Sequence, residues 1–173
     1  GWAYWPGGNS QPPNTWYGHY LPDPLPNEFD PTRELYSSTD AAMINWQLSK
    51  MAEAKIEVAI SSWWGPGDRT DRNFGFIVKD VMKRSSNPYP NLRWSLYYED
   101  ESTGDPSVAQ IVSDLNYIAT NYAGEPGYLK IGGKPVIFVY STGSDTTGMV
   151  QRWHDAKLQA ATQFYVVLKL FSG

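Results

Sequence analysis

The sequence predicts an α/β fold assembled from strands and helices in alternation, because four short apolar segments alternate with four longer segments of helical periodicity. The apolar segments begin near residues 56, 92, 135 and 164. Polar and aromatic residues follow directly after several of these segments. In α/β proteins, functional sites are built at the carboxyl ends of the strands, so we expect the site there.

Length and composition limit the class of protein. The chain has 173 residues, which fits a single domain over 1–173, and an apolar fraction of 41% is sufficient for a core. A net charge of −4 argues against a general nucleic-acid binder, and the absence of cysteine excludes disulfides and cysteine–zinc sites. No apolar run reaches the roughly 18 residues of a membrane span, so we expect no membrane partner. No signal peptide is visible, although a mature secreted chain would also lack one. We expect a secreted or extracellular protein.

Aromatic residues make up 15% of the chain, with 8 Trp and 12 Tyr, and many of them lie in tight groups. Their flat faces and polar tips suit sugar rings, whose C–H faces stack on them, and they suit ordinary cores and interfaces as well. For a single aromatic residue, core packing is the commoner role. The composition therefore leaves carbohydrate binding and core packing open.

A proline-rich region precedes the first predicted helix and strand. Proline restricts itself and the residue before it, so residues 1–38 are expected to be irregular, and only Gly1–Trp5 could form a strand. A helix is predicted from Asp40, a good N-cap residue, to about Lys55. The strand Ile56–Ser62 follows, and the WWGPG segment after it is predicted to be a loop.

Further helices and strands follow in alternation. Asp105 and Pro106 are expected to cap and begin the third helix, because proline is favoured at the first helical position. A tight turn is predicted at IGGK, just before the third strand. The remaining predicted elements are helices at about 72–84 and 147–162 and strands at Leu92–Tyr98, Pro135–Tyr140 and Phe164–Leu170. In the last strand, alternate side chains should face the helices and the barrel interior, with Tyr165, Val167 and Lys169 on one side and Phe164, Val166 and Leu168 on the other.

Two α/β architectures accommodate these elements. A doubly wound sheet of five strands fits 173 residues, whereas a complete (βα)8 barrel needs about 200 or more. However, no phosphate-binding glycine fingerprint follows any strand, the first strand is short, and the last strand has no helix after it. We therefore expect about the first five strands and four helices of a (βα)8 TIM-barrel type, with a missing C-terminal half or with self-association in its place.

Glu99 is the candidate catalytic residue. It directly follows a predicted strand beside Tyr97 and Tyr98, and a carboxylate enclosed by aromatic rings can have its pKa tuned by burial or accept hydrogen bonds from sugar hydroxyls. Glycosidases generally use two carboxyl groups across the scissile bond. Asp68 and Asp71 are the nearest alternatives, but a helix-start role is the commoner one for them. The second carboxylate is therefore not evident.

No metal and no other cofactor are predicted. The two histidines, His19 and His154, show no metal-ligand spacing. His154 lies in a helix with charged neighbours, which indicates a surface position, while His19 lies in an aromatic-rich loop. The GGK segment at 132–134 lacks the rest of a phosphate-binding loop and is interpreted as a turn.

The pair Trp63–Trp64 directly follows a predicted strand and precedes Gly-Pro-Gly. One indole is expected to face the core and the other a cleft. Tyr140 repeats this arrangement at the end of another strand. Both places are therefore candidates for stacking against sugar rings.

At these residues the chain resembles glycoside hydrolase family 99, the endo-α-mannosidase and endo-α-mannanase type, and its bacterial relatives. Four segments carry the resemblance: LPDPLPNEFDPTRELYSSTD (21–40), ISSWWGPG (60–67), LYYED (96–100) and GKPVIFVYS (133–141). The resemblance implies a (βα)8 barrel and retaining, endo-acting, metal-independent hydrolysis of an α-linked, mannan-like oligosaccharide or polysaccharide. The site residues proposed on this basis are Tyr4, Trp63, Trp64, Tyr98, Glu99 and Tyr140.

The sequence departs from the family pattern in one respect. The family's catalytic pair lies in a Glu-x-x-Glu segment, and the 173 residues contain none. In a complete protein that pair would perform acid/base chemistry and covalent or neighbouring-group catalysis, while Glu99 would bind or orient a sugar hydroxyl. The alternative functions are a non-catalytic glycan-binding domain and an inactive barrel fragment.

Overall fold

A computed structural model of the protein describes residues 19–20, 35–36, 39–83, 89–141 and 146–170. The strands are β1 (His19–Tyr20), β2 (Leu35–Tyr36), β3 (Val58–Trp63), β4 (Arg93–Tyr98), β5 (Lys130–Ile131), β6 (Lys134–Val139) and β7 (Tyr165–Leu168). The helices are α1 (Ala41–Glu53), α2 (Arg69–Gly75), α3 (Val108–Asn121) and α4 (Thr146–Gln159). A π-helical segment (Phe76–Val81) extends α2, and a 3-10 turn (Asp100–Ser102) follows β4. The four helices and the four strands predicted after residue 40 are thereby confirmed.

Side chains at the helix starts explain where α1 and α3 begin. The Asp40 carboxylate accepts hydrogen bonds from two backbone N–H groups of the first turn, at 2.8 and 3.2 Å. In α3 the N-cap residue is Ser107, whose hydroxyl accepts a backbone hydrogen bond at 3.1 Å. The prediction that Asp105 caps this helix is wrong, because the Asp105 carboxylate instead pairs with Arg152 of α4 at 2.9 Å.

The central sheet is parallel, with the strand order β3-β4-β6-β7. This order follows the chain without reversal, and crossovers between parallel strands are right-handed, so the connecting helices fall on one face. Ring contacts agree, since Trp63 packs against Tyr117 of α3 and Tyr98 packs against Trp153 of α4. A doubly wound sheet needs a reversal of strand order, so the barrel-type arrangement is the one present. The first predicted strand, Gly1–Trp5, lies outside the described residues.

Two short antiparallel pairings accompany the parallel strands. β5 pairs with β6 through a turn at Gly132 and Gly133, whose φ values are +57° and +77°. A two-residue hairpin turn with positive φ at both positions favours glycine, so the predicted turn is confirmed. β1 pairs with β2 within the region that was expected to be irregular. Strands of two residues are too short to produce a periodic sequence pattern, which explains the difference.

Alternation along the strands divides the sheet into a face toward the helices and an opposite face, which we call the open face. In β7, Val166 and Leu168 pair with core residues of β6 and face the helices, whereas Tyr165 and Val167 lie on the open face. The alternation predicted for the last strand is thereby confirmed. The core on the helix face includes the fully buried side chains of Trp63, Leu96, Tyr98, Ile137 and Val139.

Among the described residues, the open face presents apolar side chains to solvent on both outermost strands of the parallel sheet, β3 and β7. Val58 and Ile60 of β3 are 41% and 46% exposed, and Tyr165 of β7 is 46% exposed. Apolar sheet edges promote association between chains, so we expect the 173-residue chain to self-associate. Size-exclusion chromatography with mass measurement tests this, and Ile60→Lys should lower the associated fraction. A cooperatively unfolding monomer of 19.5 kDa would contradict the prediction.

Candidate functional site

The registers of the parallel sheet bring the last residues of β3, β4, β6 and β7 side by side. The next residue after each strand defines what we call the mouth layer, formed by Trp64, Glu99, Tyr140 and Lys169. The hydrogen bonding between parallel strands continues into this layer. The backbone N–H groups of Glu99, Tyr140 and Lys169 donate to backbone carbonyls at the ends of the neighbouring strands at 3.0–3.1 Å. The residues just before them face the helices, so alternation directs the mouth layer to the open face.

Side-chain contacts agree with this placement. Tyr97, two residues before Glu99 on the same face, meets the Tyr140 ring edge to face, with centroids 5.6 Å apart and planes at 89°. The Lys169 ammonium lies over the Tyr140 ring, 4.4 Å from its centroid. Burial, followed by the charges of Glu99 and Tyr140, raises the pKa of Tyr97. The mouth layer therefore combines an indole, a carboxylate, a phenol and an ammonium group, with the phenol of Tyr97 packed beside it.

Glu99 provides the carboxylate of the mouth layer. Its side chain is only 9% exposed. Within the described part of the chain, no group donates a hydrogen bond to this carboxylate. A largely buried carboxylate of this kind can accept hydrogen bonds from hydroxyl groups of a ligand that reaches it. Its position supports the predicted site, while its catalytic role stays a prediction.

Trp64 begins the loop between β3 and α2 and is 42% exposed. The loop turns through Gly65 and Gly67, with φ of +96° and +77°, a conformation that favours glycine. The Trp64 N–H donates to the Thr70 hydroxyl at 3.1 Å, and the Gly67 N–H donates to the Asp71 carboxylate at 2.9 Å. These bonds from α2 fix the loop that carries the exposed indole.

Asp71 is a buried carboxylate behind this loop, 3% exposed. Besides the loop N–H, three side chains donate to it: Trp63 Nε1 at 2.8 Å, the Tyr122 hydroxyl at 2.6 Å and the Tyr117 hydroxyl at 2.7 Å. Burial acts to raise the pKa of Asp71, but these hydrogen bonds outweigh burial and hold the pKa below its usual range. The carboxylate therefore links β3, α2 and α3 beneath the mouth layer.

Two of the predicted sugar contacts are core residues. Trp63 and Tyr98 have no exposed surface, because both side chains point to the helices. The Tyr98 hydroxyl donates to Asp114 of α3 at 2.8 Å, and burial raises the pKa of that carboxyl. A fully buried ring cannot stack on a sugar, so the assignment of Trp63 and Tyr98 as substrate contacts is wrong. The expectation that one indole of the Trp63–Trp64 pair faces the core is confirmed for Trp63, whereas the cleft expected beside Trp64 stays a prediction.

The other residues considered as candidates are Tyr4, Asp68 and His154, and none of them belongs to the mouth layer. Tyr4 lies outside the described residues, so its proposed role stays a prediction. Asp68 is the N-cap of α2, with its carboxylate accepting from the Thr70 N–H at 2.7 Å, which confirms a helix-start role. His154 is exposed on α4, as expected for a surface residue.

Sequence reasoning missed Lys169 and the role of Asp71. The predicted last strand extends to Leu170 and so includes Lys169, whereas β7 ends at Leu168 and Lys169 is the first residue after it. Extending the alternation of Glu99 and Tyr140 to the last strand would have found it. Asp71 gave no such signal, because its tyrosine partners lie 46 and 51 residues away in the sequence.

The described residues contain neither a candidate metal site nor a membrane-spanning helix. In these ranges, no three His, Asp or Glu side chains lie together in a way that could hold a metal ion. In the same ranges, no helix is both long enough and apolar enough to cross a membrane.

Comparison with known proteins gives one family and a set of similar folds. The model of Glycosyl hydrolase family 99 matches residues 4–164. Two solved structures of the GH99 endo-alpha-mannosidase from Bacteroides thetaiotaomicron, one in complex with BIS-TRIS-Propane, are similar at TM-score 0.50 and 21% identity. Each match covers 62% of this chain, but only 29% and 31% of those chains. At this identity the likeness concerns the fold, and no curated protein matches.

Proposed function

The chain belongs to glycosyl hydrolase family 99, and on that basis we propose that it takes part in retaining, endo-acting hydrolysis of an α-linked, mannan-like glycan. The coarser assignment, a glycoside hydrolase-like protein, follows from the family itself. The chain spans less than a third of the matched endo-alpha-mannosidase chains, so hydrolysis is a proposal for the whole protein. We also propose a secreted or extracellular location, where polymeric glycans occur.

The mouth layer is the observation that carries this proposal. It places an exposed indole, a carboxylate and a phenol directly after three neighbouring strands of the sheet, at the carboxyl ends where barrel enzymes build their sites. Neighbouring strands lie about 4.8 Å apart, which is comparable to the width of one sugar ring. A short glycan lying across the strand ends would therefore meet each side chain in turn.

Each side chain has a distinct task in this proposal. Trp64 stacks on the face of a sugar ring, Glu99 accepts hydrogen bonds from a sugar hydroxyl, and the Tyr140 hydroxyl donates to a sugar oxygen. Retaining hydrolysis needs two carboxyl groups roughly 5–5.5 Å apart across the scissile bond. The mouth layer supplies one carboxylate, so we assign the catalytic pair to a Glu-x-x-Glu segment outside these 173 residues.

The single carboxylate also favours a second candidate function, a non-catalytic glycan-binding domain. Such a domain needs the indole, the phenol and the acceptor oxygen of the mouth layer but no general acid. Glycan binding without cleavage by the whole protein would support this alternative. Cleavage of α-mannan with retention of anomeric configuration would support the hydrolase.

Glu99→Gln is expected to lower kcat/KM for α-mannan by tenfold or more in the full-length enzyme, about 1.4 kcal/mol of transition-state stabilisation. The amide is nearly the same size but replaces one acceptor oxygen with a donor, so the fold should keep its stability. Glu53→Gln, on the exposed side of α1, is the matched control and should leave kinetics unchanged. Near-wild-type kinetics of Glu99→Gln would exclude a role for Glu99 at the substrate.

A further inference from the structure

Lys169 is the fourth member of the mouth layer and its only cation. The residue follows β7 directly, and its backbone N–H donates to the Val139 carbonyl at 3.1 Å. Leu168 before it faces the helices, so the Lys169 side chain lies on the open face with Tyr140 and Glu99. A charged side chain is thereby placed among the residues that the proposed function assigns to the glycan.

Tyr140 holds the ammonium group in place. The Lys169 Nζ lies 4.4 Å from the Tyr140 ring centroid, within the range of a cation–π interaction. Tyr140 is itself held by its edge-to-face contact with Tyr97 at 5.6 Å. A lysine side chain is ordinarily flexible, and this support lowers the entropic cost of binding a ligand through its ammonium group.

The two charges of the mouth layer lie at different positions along it. Glu99 follows β4 and Lys169 follows β7, with β6 between them, so their backbones are roughly 10 Å apart at the usual strand spacing. A carboxylate accepts hydrogen bonds from hydroxyl groups and repels anions, whereas an ammonium group donates to oxygen and binds anionic oxygen most strongly. The mouth layer therefore has a negative charge near its middle and a positive charge at one end, and a bound glycan has to present complementary groups to both.

We propose that Lys169 binds an anionic oxygen group on the glycan, either a phosphate ester or the carboxylate of a uronic acid. This inference rests on the proposed function, because it assumes that a glycan lies across the mouth layer. The chain has a net charge of −4, so an anionic ligand needs a local cation to overcome the general repulsion. Lys169 supplies that cation at the end of the layer opposite Trp64.

Titration calorimetry with three probes tests the proposal: a neutral α-linked mannotriose, the same trisaccharide with one phosphate monoester, and its analogue with one uronic acid. The wild-type protein should bind at least one anionic probe about tenfold more tightly than the neutral one. Lys169→Met should abolish this preference without changing the affinity for the neutral probe. Lys169→Arg should keep the preference, and raised ionic strength should reduce it.

Lys157→Met is the matched control, because Lys157 lies on α4, away from the open face, and this variant should behave as wild type. A preference for one anionic probe identifies the group as phosphate or carboxylate. Equal wild-type affinity for all three probes, or an equal loss for all three in Lys169→Met, would overturn the inference and leave the proposed function standing. If the wild-type protein binds none of the probes, the proposed function fails together with this inference.

Discussion

Replacing Asp71 with alanine is expected to lower the free energy of unfolding by about 3–5 kcal/mol, the scale of breaking a buried charged network. The carboxylate is 3% exposed and accepts four hydrogen bonds. Its removal leaves the buried Trp63 indole N–H without its acceptor, at about 1–3 kcal/mol for an unsatisfied group. The half-buried Tyr117 hydroxyl also loses its acceptor, and the Tyr122 hydroxyl keeps only the longer contact to the backbone carbonyl of residue 71 at 3.2 Å. The loop N–H of Gly67 loses its anchor as well.

Urea unfolding of Asp71→Ala and of the control Asp80→Ala measures this effect. Asp80 lies on the exposed side of the π-helical segment, so its substitution should change the free energy of unfolding by no more than about 0.5 kcal/mol. A double-mutant cycle with Tyr122→Phe should give a clear coupling energy, because the Tyr122 hydroxyl lies 2.6 Å from the Asp71 carboxylate. Equal stability of the Asp71 and Asp80 variants would show that the network does not stabilise the fold.

The same carboxylate gives a pH dependence of defined sign. The folded-state pKa of Asp71 lies below its usual value of 3.8, so its contribution to stability is complete above that value and is lost as the pH falls through the folded-state pKa. Asp71→Asn should remove this part of the acid dependence. Burial raises the pKa of Asp114, so Asp114→Asn should change the acid dependence in the opposite direction. Shifts of the same sign in both variants would contradict these assignments.

The strand–helix units were predictable because their signals are local. Helical spacing and apolar runs located all four helices and the four parallel strands, and the strand ends located Glu99 and Tyr140. No local sequence signal distinguishes a barrel from a doubly wound sheet. The choice depends on whether the strand order reverses, which the pairing of β6 with β7 on one side and β4 on the other decides.

The parts of the site that escaped prediction depend on contacts distant in sequence. Nothing near Asp71 indicates that Tyr117 of α3 and Tyr122, just after α3, donate to it. The sequence WW likewise does not say which indole is buried, since both follow the same strand. The register that places Trp63 beside the buried Tyr98 decides the question. Substitutions of the two tryptophans therefore distinguish most clearly between an effect on fold stability and an effect on glycan binding.

Trp63→Ala is expected to reduce the stability of the fold, whereas Trp64→Ala is expected to reduce the affinity for a glycan. Trp63 is fully buried and donates to Asp71, so its truncation should lower the free energy of unfolding by roughly 3–5 kcal/mol. Trp64 is 42% exposed and should contribute little to stability. As a stacking platform, however, Trp64 should contribute roughly 1–3 kcal/mol to glycan binding, the scale of an aromatic anchor.

Urea unfolding and calorimetric titration with an α-mannan oligosaccharide, performed on both variants, separate the two roles. Trp64→Ala should unfold like the wild-type protein and bind the oligosaccharide more weakly, while Trp64→Phe should recover part of the affinity because a flat ring remains. Trp63→Phe should recover part of the stability but not the hydrogen bond to Asp71, which the phenyl ring cannot donate. Unchanged glycan affinity in Trp64→Ala would remove the exposed indole from the site, and the mouth layer would then have to bind its ligand through Glu99, Tyr140 and Lys169 alone.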